Sequence, residues 1–181
     1  MALILSYGFI GGGIKLLDHL TDEITQSRQR KLLIWFLSIS LIIIINIWVI
    51  LDFYTAVLAL ALAFGLLGAR KVDNIYFTII AVISLYFALF QIYSVFLFLL
   101  PTLFALITAV ILDEVIHSVA QKLTQPALQW MLTHRPLVKI LVLILPVFGL
   151  LTFIHTIGFW GFDIAYDLVA YHFRAPSSMD H

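Results

Sequence analysis

The chain has 181 residues, of which 63% are hydrophobic and 11% charged, with ten Lys/Arg balancing ten Asp/Glu and no cysteine. A soluble domain carries roughly 25% charged residues, and a disordered chain is poor in apolar ones, so both classes are excluded. The balanced charge argues against a nucleic-acid partner, and the absence of cysteine excludes disulfides, thiolate metal sites and cysteine nucleophiles.

The composition therefore predicts an all-α, polytopic membrane bundle in a single domain spanning residues 1–181. About six transmembrane helices are expected, followed by a short C-terminal helix. The first apolar piece, Met1 to Leu17, contains Gly11-Gly12-Gly13, either a close helix approach or a local break. It lacks the basic start and small-x-small cleavage pattern of a signal peptide, and reads as a retained first helix. Residues 32–51 are charge-free and long enough to cross the roughly 30 Å hydrocarbon core. Asp52 interrupts, and 53–69 is charge-free again, with Ala61, Gly65 and Ala69 at the four-residue spacing of a close helix contact. Residues 74–112 hold two further spans, read as 75–90 and 93–112. Pro101 is expected to kink the second of these. A polar stretch at about 113–136 follows, punctuated by Pro126 and Pro136, with Leu128, Trp130 and Met131 suited to the membrane surface. The last crossing is read at 137–157, with Pro146 and Gly149 as possible break points.

Basic residues set the orientation. Arg28, Arg30, Lys31, Arg70, Lys71, Lys122, Arg135 and Lys139 fall on one side, and the turns at Asp52 and Gln91 carry none. An excess of Lys/Arg marks cytoplasmic loops, so the protein is read as a multi-pass membrane protein with these loops cytoplasmic.

The acids carry the functional reading. Asp18 and Asp22 are four apart, as are Asp113 and His117, and Asp163 and Asp167. Residues four apart share a helix face, and like charges there repel unless a cation or proton intervenes. Together with Asp73 these residues form a candidate site for a divalent cation, Mg²⁺ or Mn²⁺, with Lys15, Arg70 and Lys71 as candidate phosphate-binding cations. Solvated helix ends would show the same residue types, and DxxxD is a weak motif. The spacing is shared with membrane prenyltransferases that handle isoprenyl diphosphates. The likeness is confined to that spacing, their Asn-Asp-containing motif is absent, and no family is assigned.

The first functional expectation is thus action on a lipid or isoprenoid phosphate at the cytoplasmic side. A cation or proton transporter using the same acids is the second, and a scaffold subunit docking a protein partner through 113–136 the third. Asp163 and Asp167 allow two arrangements for 159–173. Either it is an outer-surface helix, or the chain turns at Pro146 and Gly149 or at Gly158 and Gly161, and the segment returns toward Asp18. His155 lies in an apolar run, and a bis-His haem there would need a partner at matched depth that the sequence does not offer.

Overall fold

A computed structural model describes residues 1–22, 27–68, 75–93, 96–120, 122 and 125–173. Among them are eight α-helices, one short 3₁₀ helix and no strand. The helices are α1 (Ala2–Asp22), α2 (Arg28–Leu51), α3 (Phe53–Gly68), α4 (Ile75–Ile92), α5 (Phe96–Ala120), α6 (Pro126–Thr133), α7 (Pro136–Ile144) and α8 (Phe153–His172). The fold is the all-α bundle that the composition predicts.

Among the described residues, three helices are long and apolar enough to cross a membrane: α2, α4, and α5 from Leu100 to Ala120. Helix α3 and the segment Pro136–Phe148 are apolar but shorter. The surface is apolar as well as the core. In α2, Ile34, Leu37 and Leu41 are buried, while Trp35, Phe36, Ile39 and Ile43 are exposed. A helix that is hydrophobic all round belongs in a large core or in lipid. Ser38 and Ser40 return their hydroxyls to the carbonyls of Ile34 and Phe36, so neither asks lipid for a hydrogen bond.

The helix ends follow from local chemistry. Ser27 opens α2 by accepting the Arg30 N–H on its hydroxyl. Asp52 alone separates α2 from α3. Its N–H donates to the Trp48 carbonyl, and its side chain accepts the Thr55 N–H at 2.7 Å, an N-cap. Proline stands at the first position of α6 and α7, where its missing N–H costs nothing.

Two boundaries differ from the sequence reading. The helix expected to end at 112 continues to Ala120, so Asp113 and His117 lie within α5 rather than in a polar loop. The crossing expected at 137–157 is two helices. Helix α7 ends at Ile144, and Leu145–Phe148 forms the 3₁₀ turn. Gly149 then adopts φ +70. The Leu150 N–H donates to the Leu145 carbonyl, and the Gly149 N–H to that of Pro146, the pattern that closes a helix on a left-handed glycine. Gly158 and Gly161 lie inside α8 and turn nothing.

The chain divides into two compact units, Met1–Ile45 with Ile157–His181, and Asn46–Thr156. In the first, α1 packs on α8. Gly8 meets the Gly161 carbonyl, Gly11 the Phe162 backbone, and Gly12 Ala165 and Val169. Farther along, Lys15 stands over the Tyr166 ring, and His19 stacks on Phe173. The partner numbers rise together, so the two helices run parallel. The three glycines are a close approach and not a break: a side chain at Gly11 would collide with the Phe162 backbone, and one at Gly13 would press on Leu41 of α2.

In the second unit, α3 packs against both α4 and α5, and α5 also contacts α6 and α7. Gly65 of α3 faces Val110, and a side chain at Gly65 would overlap it. This is the close contact expected from Ala61, Gly65 and Ala69, of which Ala69 lies outside the described residues. Val57, Ala61 and Gly65 are all buried along that helix.

Candidate functional site

The polar residues of α1 fall on one face. Lys15, Asp18, His19 and Asp22 recur at three- and four-residue steps, the spacing of neighbours on a helix surface. The facing stripe of α8 is Phe162, Tyr166, Val169, Ala170 and Phe173. Where the glycine-lined seam ends, the two stripes enclose a pocket of 240 Å³ lined by Lys15, His19, Asp22, Val169, Ala170 and Phe173.

The charges in it are partly matched. The Lys15 ammonium donates to Asp18 at 2.6 Å and lies 5.3 Å from the centre of the Tyr166 ring. Both partners of the ion pair are about one-third exposed. An exposed pair of this kind is worth little for stability, so its significance lies in holding the lysine in place. Asp22 closes the last turn of α1 and is exposed. His19 stacks on Phe173 with ring centroids 4.4 Å apart, and His172 meets the same ring edge-on at 5.2 Å.

The other predicted site residues divide as follows. Asp163 is half-buried and Asp167 exposed. Neither lines the pocket, although their helix runs beside α1 toward Lys15. Within the first unit α8 brings 159–173 alongside α1, with Tyr166 and Phe173 beside Lys15 and His19. Asp113 is fully buried in the other unit, where one oxygen accepts the Leu137 N–H at 3.0 Å and the other the Val138 N–H at 2.8 Å. Both oxygens cap the start of α7. Next to it, Glu114 pairs with Arg135 at 2.6 Å, and Arg135 holds a left-handed backbone at φ 51 just before Pro136. His117 is half-buried on the same helix. Arg70, Lys71 and Asp73 lie outside the described residues. Among the described residues no three His, Asp or Glu side chains gather as a metal-binding group.

A second constellation escaped the sequence. His155, 3% exposed, places Nε2 2.5 Å from Asp52 Oδ2 and Nδ1 2.5 Å from the Thr152 hydroxyl. The same carboxylate oxygen accepts the Thr55 hydroxyl at 2.6 Å, and the Tyr54 ring lies beside the imidazole. With Nε2–H donating to Asp52 and Nδ1 accepting from Thr152, both ring nitrogens are satisfied. Partial burial pushes the Asp52 carboxyl upward. The hydrogen bonds from His155 and Thr55 outweigh this and hold it below the usual value. The only local signals are Asp-x-x-Thr at 52–55 and Thr-x-x-His at 152–155, and nothing in the sequence joins them across 103 residues.

No protein-family model matches the chain, and no curated protein or solved structure matches it. The functional reading rests on the geometry alone.

Proposed function

We propose that this is an integral membrane protein that binds a phosphate-bearing lipid, an isoprenoid phosphate foremost, at the Lys15–Asp22 end of α1. A divalent cation, Mg²⁺ or Mn²⁺, joins the phosphate to the acids of that helix. In this reading the basic loops are cytoplasmic, and the pocket opens on that face of the membrane.

The observation that carries the proposal is the composition of the pocket. One wall is charged, with Lys15, His19 and Asp22, and the other is apolar, with Val169, Ala170 and Phe173. An amphiphile presents the same division. The cation follows from the charges. Asp18 already balances Lys15, and Asp22 adds a negative charge that repels phosphate unless a metal intervenes. Mg²⁺ suits a site with few protein ligands, because it is held by one or two carboxylates and completes its shell with phosphate oxygens and water. The Lys15 ammonium, a point charge, donates to the phosphate oxygens.

The test is thermal unfolding of the purified protein with farnesyl diphosphate, with and without Mg²⁺. A ligand bound only by the folded state raises the melting temperature by mass action. A shift that needs both components, and that Lys15→Met and Asp22→Asn each remove, is expected. No shift under any combination overturns the proposal.

A second reading, proton or cation transport, is favoured by one observation: Asp52 and His155 form a hydrogen-bonded ionisable pair in a largely apolar chain. Flux into proteoliposomes that is lost on His155→Gln, with diphosphate binding absent, would favour transport.

A further inference from the structure

The α1–α8 seam next to the pocket is closed. Gly11 brings the α1 backbone against the backbone of Phe162, so tightly that not even a methyl group fits between them. On either side, Gly8 touches the Gly161 carbonyl, and Gly12 lies at ordinary contact distance from Val169 and Ala165. A prenyl chain is several ångströms thick and cannot thread such a seam. The neighbouring face of α1 is closed as well, because Gly13 packs on Leu41. The pocket is therefore blind toward the middle of α1.

Its size agrees. At 240 Å³ it holds the equivalent of about eight waters. Sites that enclose a drug-sized ligand run to roughly 300–1,000 Å³. A diphosphate with its cation and a few waters fits this space, but a long isoprenoid does not. The apolar side chains that line it, Val169, Ala170 and Phe173, make a single wall.

Building on the lipid-phosphate reading above, we infer that this site reads the headgroup alone. It encloses a diphosphate-sized anion and its cation, and leaves the hydrocarbon chain outside in the bilayer, so that affinity is indifferent to chain length. One site then accepts carriers of different length that share a head.

The experiment compares inorganic diphosphate with dimethylallyl diphosphate by titration calorimetry, using the full-length protein in detergent with Mg²⁺ present. Both probes are water-soluble, so partition into micelles does not disturb the comparison. Each buried methylene tightens binding roughly fourfold, so enclosing the five-carbon chain would improve affinity by about several hundredfold. Dissociation constants that agree within about threefold are the expected result. Dimethylallyl diphosphate binding at least about tenfold more tightly overturns the inference and leaves the lipid-phosphate reading standing. Failure of both probes to bind overturns both. Ala170→Leu, which narrows the pocket from its apolar wall, is expected to weaken the two probes by the same factor. Selective loss of dimethylallyl diphosphate would place the chain in the pocket and overturn the inference.

Discussion

Asp113 and Val138 are 25 positions apart in the chain, yet the Val138 N–H donates to the Asp113 carboxylate at 2.8 Å. With Leu137 bonded to the other oxygen, one buried side chain takes up two of the N–H groups that the start of α7 leaves without helical partners, Pro136 itself having none. A carboxylate accepts two such donors, and it also meets the positive end of the helix dipole. An amide has one acceptor and one donor, and its NH₂ would face a backbone N–H. Asp113→Asn is expected to cost about 1–3 kcal/mol of stability. Denaturant unfolding should show the same loss with and without Mg²⁺. A loss confined to metal-containing buffer would move the cation site from α1 to α5.

Asp52 gives the fold a pH dependence of definite sign. Its carboxyl titrates below the usual 3.8, held down chiefly by His155 and Thr55 against the opposing effect of burial. A group lowered in the folded state contributes stability that is complete above its unfolded value and lost as pH falls through its folded value. The wild type should therefore lose stability on acidification through the carboxylate range more steeply than Asp52→Asn. Unfolding measured from neutral pH down to about pH 3 checks this, and parallel curves for the two proteins would refute it.

Neighbouring glycines of α1 should differ sharply. Gly11→Ala places a methyl group inside the Phe162 backbone, which cannot move aside as a side chain can, whereas Gly12→Ala meets Val169 and Ala165 at 3.5 to 3.8 Å. Overpacking costs typically about 1–3 kcal/mol. A marked drop in melting temperature is expected for the first and little change for the second. Equal tolerance of both would mean that the helices do not touch at Gly11.

Orientation is directly measurable, because the chain has no cysteine to remove. Single cysteines at Ser27 and Lys122, both exposed, should react with reagent supplied from the cytoplasm. A cysteine at Tyr93, 85% exposed between α4 and α5, should react from the opposite side. The reverse pattern would invert the assignment drawn from the basic loops.

These relationships also show where sequence reasoning stops. Helices α2 and α4 were legible because absence of charge over about twenty residues is itself the physical requirement for crossing lipid. The continuation of α5 through Asp113 and Glu114 was not. Two adjacent acids look like a solvated end, and their burial makes sense only once Leu137, Val138 and Arg135 arrive from another helix. The pairing of Asp52 with His155 was hidden for the same reason. The Lys15 side of the pocket was visible as a charged stripe. Its apolar side was not, because Val169, Ala170 and Phe173 resemble any lipid-facing residues until α8 is known to lie along α1.

Helix α1 is synthesised long before α8, and the two touch along their length. During membrane insertion α1 must wait for more than a hundred residues of chain before the surface that its glycines are shaped to fit exists. Until then the notch at Gly11 has no Phe162 to fill it, and Lys15 has Asp18 for company but no Tyr166. A chain halted before α8 would thus carry an unfinished α1, so incomplete synthesis would show at a helix made long before the missing one.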